Sequence, residues 1–291
     1  MTTTPTPRLR TAVVFGGGGV AGIAWELGVV STLLDRGIPL DDADLVVGTS
    51  AGSVVGTLLR LGRTGEALAE QLAAGQVAAT AAPSVAGFEE AIAQAMVGAT
   101  TAEEARAGIG RMARETPRPA DDTDLVPVMR EQLAGAPWPD RALTVCTVDA
   151  TDGVFRPLDA SSGVDLAIAV AASCSVPVVF PTVDVAGRAT MDGGVRSGTN
   201  ADLADDYDRV VVVSCGPEQA VSPLGPSLPQ VVAARAAAGR PVFVVEADTA
   251  SLAAFGDNML SPAVRRPAAE AGRAQAARVA DAVLAYWTAG V

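Results

Sequence analysis

Ser50 lies in Gly48-Thr49-Ser50-Ala51-Gly52, directly after the apolar run Leu45-Val46-Val47. A Gly-x-Ser-x-Gly turn between a strand and a helix holds the central hydroxyl up on a sharp bend. Glycine on either side removes the Cβ atoms that would clash in so tight a turn. A non-glycine residue held in such a bend costs roughly 1–3 kcal/mol, so the arrangement points to a use for the hydroxyl. The chemistry it suits is nucleophilic attack on an acyl carbon. The plainer alternative is a tight glycine turn carrying an idle serine.

A serine nucleophile needs a proton acceptor. The chain contains no histidine, and every one of its basic residues is arginine. The missing histidine excludes Ser-His-Asp triads and imidazole-based metal sites. The missing lysine excludes P-loop NTPases, protein kinases and Schiff-base chemistry. A carboxylate is left as the base. Asp192, in Asp192-Gly193-Gly194, is the best candidate because the two glycines leave the backbone beside it unobstructed. With a reference pKa near 3.9 it is a weak base, so position and exclusion of water must compensate. Its other reading is an ordinary Asp-Gly turn residue.

The developing negative charge of an acyl transfer needs donors as well. Gly17, Gly18 and Gly19 end the first apolar run and precede a helical one, so bare N–H groups and a helix N-terminus could form an oxyanion hole. The same residues, with Gly22, also satisfy G-x-G-x-x-G, the dinucleotide fingerprint. That alternative requires an acidic residue at the end of the second strand. Here Asp41, Asp42 and Asp44 come before that strand or at its start.

These residues need strands and helices to carry them. Residues 11–15 read as a buried strand and 23–36 as a helix capped by Gly37; 44–49 read as a second strand, followed by a helix to residue 61 that stops at Gly62. Gly52 and Gly56 lie four apart, so one face of that helix is bare and can approach a sheet closely. Parallel pairing of the first two strands would bring the glycine run beside Ser50. Residues 64–135 are Ala-rich and helical, with breaks near Pro83 and Pro117, and read as an insertion or cap. Strands are expected again at 142–148, 210–214 and 241–246, with hairpin turns at Asp152-Gly153 and Gly187, a helix at 165–172, a loop at 217–229 and a final helix at 266–286. The whole reads as one α/β domain.

Composition narrows the function from the other side. At 291 residues the chain can bury about 75% of its unfolded surface. No apolar run approaches the roughly 18 residues of a membrane span, and residues 12–15 are too short for a signal-peptide core, so a cytoplasmic location is expected. Three scattered cysteines, Cys146, Cys174 and Cys215, suggest reduced and mostly buried thiols. A net charge of −12 argues against nucleic acid and against strong adhesion to anionic membranes.

The glycine run, Gly48-Thr-Ser-Ala-Gly52, Asp192-Gly-Gly194 and the segment Ala172-Ser-Cys-Ser-Val-Pro-Val-Val-Phe-Pro181 together resemble the patatin-like phospholipases, over about residues 11–200. That resemblance implies a three-layer α/β/α sandwich with a mostly parallel central sheet and a helical insertion. It implies a Ser50–Asp192 dyad, an oxyanion loop at Gly17–Gly19, an acyl-enzyme intermediate, lipid or other acyl-ester substrates, transient contact with a membrane surface, and no cofactor. One departure is Ala21, where the family usually carries a basic residue. Arg196 could supply charge nearby, or be a solvated surface residue. Arg265-Arg266 could meet phosphate headgroups, although a surface pair is the simpler reading. A catalytically weak relative that binds lipid or protein is the alternative.

Overall fold

A computed structural model of the chain describes residues 8–74, 88–116 and 124–289. Its strands are β1 (Thr11–Phe15), β2 (Leu45–Thr49), β3 (Leu143–Asp149), β4 (Val183–Val185), β5 (Arg188–Asp192), β6 (Arg209–Ser214) and β7 (Val242–Glu246). They form one sheet in the order β4-β5-β3-β2-β1-β6-β7. The five strands from β3 to β7 in that order pair in parallel, whereas β5 runs antiparallel to both β3 and β4. The described helices are α1 (Gly19–Asp35), α2 (Ala51–Arg60), α3 (Thr64–Ala73), α4 (Phe88–Met96), α5 (Ala102–Glu115), α6 (Leu125–Gln132), α7 (Leu166–Ser173), α8 (Leu228–Ala237), α9 (Thr249–Phe255) and α10 (Arg265–Thr288).

Period-two alternation divides each central strand between two cores. Val13, Phe15, Val46, Val211 and Val213 face the side covered by α1, α2, α7 and α10, where Trp25, Leu27, Val54, Val170 and Val283 are buried. Ala12, Val14, Val47, Val210 and Val212 face the other side, against α8 and a short 3-10 turn at Ala201–Ala204. A third cluster around Val148 and Met191 is closed by α4 and α5. The result is a three-layer α/β/α sandwich. Among the described residues, no helix is long and apolar enough to cross a membrane.

Several sequence expectations are sharpened here. The stretch 64–135 is helical where described, but it does not gather into one cap. Helix α3 packs on α1 and α10, whereas α4 and α5 pack beside β3 and β5. Arg106, buried on α5, secures it by donating to the carbonyls of Gly153 and Leu224 and to Glu103. The breaks at Pro83 and Pro117 lie outside the described residues. The Asp152-Gly153 turn forms, but its return is only two bridges, Val148 with Phe155 and Val145 with Leu158. The N–H groups of Arg156 and Leu158 donate to the carbonyls of Thr147 and Val145 on β3. Helices α8 and α9 are additions to the expected elements. A capping box of Ser227 and Gln230 opens α8, and Asp248 caps α9, signals present in the sequence.

The Gly187 hairpin matters most for the site because it carries Asp192. Its outer strand β4 is three residues long, and Arg188 at the start of β5 reaches the buried Asp149 of β3 at 2.7 Å. Thr49 pairs with Cys146 and Asp192 with Thr147, so consecutive residues of β3 register the serine turn and the aspartate.

Candidate active site

Ser50 has φ 52° and ψ −118°, a left-handed conformation that side chains rarely adopt. Four hydrogen bonds impose it. The Ser50 N–H donates to Ser173 Oγ at 2.9 Å, and the Ser50 carbonyl accepts from Ser53 N (2.8 Å), Ser53 Oγ (2.7 Å) and Cys174 Sγ (3.4 Å). Close packing does the rest. A Cβ on Gly48 would lie 2.5 Å from the Gly52 carbonyl oxygen, and one on Gly52 would overlap the Phe15 carbonyl. The bend is therefore over-determined by its surroundings, as a strained functional residue requires.

Asp192 ends β5 and is 4% exposed. Its N–H donates to the Ser175 carbonyl at 3.0 Å, and its Oδ1 accepts the Gly194 N–H at 2.7 Å. Burial pushes the carboxyl up from 3.8 to about 7, although hydrogen bonds from the Gly194 N–H and from the Ser50 hydroxyl favour the charged form. The two side chains thus meet, and the carboxyl is poised near neutrality instead of being the weak base of its reference value. Gly193 fits only because it has no side chain, since a Cβ there would overlap the Cys146 backbone.

The glycine loop adjoins the serine, because β1 and β2 pair in parallel. A Cβ on Gly17 would lie 3.5 Å from Ser50 Cβ. Its three glycines are not equivalent. The Gly17 N–H donates to the Gly198 carbonyl at 2.8 Å, whereas Gly18 and Gly19 donate to no backbone carbonyl among the described residues. Gly19 has φ 58° and starts α1, which has no acidic residue in its first turn and no side-chain cap. Its positive helix end adjoins the Ser50 turn, with the Ala21 N–H of the first turn taken by the Met259 carbonyl.

Behind the loop, Glu26 of α1 is fully buried, and burial holds its carboxyl well above the usual range. The Cys215 thiol donates to its Oε1 at 3.6 Å.

Residues 13–205 match the family model of the patatin-like phospholipases. The chain belongs to the patatin-like phospholipase family. Among solved structures it is similar to VipD from Legionella pneumophila, at 12% identity over 95% of this chain and 67% of that one, with a TM-score of 0.46. It is also similar to the type III effector protein ExoU, at 17% identity over 96% of this chain and 54% of that one, with a TM-score of 0.43. The chain therefore spans about half the length of ExoU. No curated protein sequence matches it.

In this patatin-like chain Ala21, the position that the resemblance marks as a departure, is fully buried and donates its N–H to the Met259 carbonyl. Arg196 does not replace the missing charge. Its guanidinium is committed to Asp202 at 2.6 Å and to Asn200 at 2.8 Å, and it lies over the Phe155 ring. It is neither a solvated arginine nor a free cation. Arg265 donates to Gln71 and Arg266 pairs with Glu270, as expected of a surface pair. Asp44 is held by Thr11 at the start of β1, away from the strand end a ribose would occupy.

Four residues near the pair were passed over in the sequence. Ser173 and Ser175, inside the 172–181 block, brace Ser50 and Asp192 respectively. Cys174 bonds the Ser50 carbonyl; it is half-buried, with burial pushing its thiol up to about 12, while Cys146 and Cys215 are buried and all three cysteines are free. Asn200 bonds Thr49 and Gly193, the neighbours in sequence of Ser50 and Asp192. Its position, eight residues after Asp192 in a run of small polar residues, carried no signal of its own.

Proposed function

We propose that this patatin-like chain hydrolyses carboxylic esters of lipids, phospholipids or lysophospholipids among them, through Ser50 and Asp192. The observation that carries the reading is a serine on a strained turn beside a buried carboxyl that burial raises toward neutrality.

The Ser50 Oγ attacks the ester carbonyl carbon while Asp192 takes its proton. The tetrahedral oxyanion is met by the N–H groups of Gly18 and Gly19 and by the positive end of α1. Collapse expels the alcohol, which leaves with the proton from Asp192, and an acyl-Ser50 ester remains. Asp192 then deprotonates a water, whose attack releases the fatty acid and restores the serine. In this scheme Gly17 shapes the loop and does not donate, because its N–H is bound to Gly198. No cofactor takes part, and the protein works from the cytoplasm with transient contact at a lipid surface.

A fluorophosphonate probe read by intact-protein mass tests the nucleophile. One adduct is expected, lost in Ser50→Ala. Labelling that persists in that variant rejects the assignment. A wild-type protein that takes no probe yet binds acyl ligands favours the binding relative that buried Ala21 suggests.

A further inference from the structure

We infer that Asn200 is the positioning residue of the site, its one amide setting the distance between the nucleophile's strand and the base's turn. The inference rests on the Ser50–Asp192 reading.

Asn200 is fully buried, with φ 50° and ψ 36°. Its Nδ2 lies 3.1 Å from Thr49 Oγ1, 3.2 Å from the Gly193 carbonyl and 2.9 Å from the Ser197 carbonyl. Thr49 immediately precedes Ser50, and Gly193 immediately follows Asp192. No backbone bond is needed between those two turns, because one side chain joins them.

The amide cannot turn over. Three acceptors surround Nδ2, while Oδ1 receives Arg196 Nη1 at 2.8 Å. Arg196 is in turn fixed by two bonds to Asp202 and by the Phe155 ring. Thr49 completes the arrangement by donating its hydroxyl to the Thr199 carbonyl, which leaves its lone pairs toward Nδ2. A reacting pair gains rate from being held within a fraction of an ångström, and buried hydrogen bonds from supporting residues supply that constraint. The left-handed backbone selects asparagine over most other residues, but glycine and aspartate also tolerate it.

That tolerance supplies the test. Asn200→Gly keeps the backbone and removes the bridge. Asn200→Asp keeps the shape, removes the donors and buries a negative charge against the Gly193 carbonyl, next in sequence to Asp192, whose ionisable neighbours are the Cys146 and Cys174 thiols; the Arg196–Asp202 pair faces Cys146 and, through Arg196, residue 200 itself. For each variant, the folded fraction from near-UV dichroism is compared with kcat and KM on an aryl ester and with the rate of fluorophosphonate labelling at Ser50.

Per folded molecule, kcat and labelling rate are expected to fall at least about tenfold while KM stays within about twofold. In Asn200→Asp the acid limb of kcat/KM should also move up by about one pH unit. Folded variants with wild-type kcat and labelling rate overturn the inference. So does an activity loss that only tracks the folded fraction, with an unshifted pH profile. If Asn200→Gly does not fold, Asn200→Asp decides. Failure of the probe to label wild-type protein would instead reject the Ser50–Asp192 reading itself, and this inference with it.

Discussion

Asp192→Asn is expected to lower kcat on an aryl ester by about 10³-fold or more and, at pH 8, to raise the melting temperature. The rate loss follows from removing the proposed base of Ser50, since the chain has no histidine to substitute. The stability gain follows from the same burial that tunes the base. A carboxyl raised from 3.8 to about 7 binds its proton more tightly in the native state than in the unfolded chain. The contribution of Asp192 to native stability is therefore greatest below about pH 4, falls as the pH climbs to about 7, and stays low above it.

The full elevation corresponds to up to about 4 kcal/mol at high pH, and the asparagine escapes it while still accepting the Gly194 N–H through Oδ1. A gain of about 1–3 kcal/mol at pH 8, vanishing near pH 4, should appear as a difference of several degrees in thermal melts. In the wild-type protein, kcat/KM should rise about tenfold per pH unit below 7 and level off above it. Near-wild-type turnover in the variant, or a flat pH profile, would assign the base elsewhere.

Gly52→Ala should sharply destabilise the fold at the base of the serine turn. The new Cβ would overlap the backbone carbonyl of Phe15 and lie 2.6 Å from its Cβ, and neither strand β1 nor helix α2 has room to retreat. The expected loss is about 4 kcal/mol or more, in the range reserved for severe backbone conflicts. Gly56→Ala, one turn later on the same helix, is the control. Its Cβ would meet Val46 Cγ1 at 2.8 Å, a side chain that can shift, and alanine favours the helix by about 1 kcal/mol. A urea titration should therefore separate the two variants by at least about 2 kcal/mol. Equal midpoints would show that the helix can lift from the sheet.

Much of this arrangement was legible in the residues. Glycine at 48, 52 and 193 is required where backbones nearly touch, and the valine runs fix the central strands through their two-sided burial. The positions of Ser50 and Asp192 could be read because their flanking residues have no other economical use. What was not legible depends on contacts between distant segments. Ser173, Ser175 and Asn200 are ordinary small polar residues until the fold brings them under the site. The unequal glycines were hidden for the same reason, since only the approach of Gly198 occupies the Gly17 N–H. Arg196 illustrates the limit most plainly, because its partner Asp202 and the ring of Phe155 lie on opposite sides of it in sequence.

The proposed base stands on a different kind of support from the proposed nucleophile. Ser50 hangs from β2, a strand flanked by β1 and β3, whereas Asp192 ends a hairpin whose outer strand is three residues long. Local opening energies within one protein range from near zero to the full stability, and short edge hairpins open at the low end. Activity should accordingly vanish in mild urea before helical dichroism changes, with amides of 183–192 exchanging ahead of those of 45–49. Dilution would return activity at once, because the serine turn would never have come apart. The proposed pair is then a reversible fuse, disarmed by fraying at one edge of the sheet while the rest of the molecule stays folded.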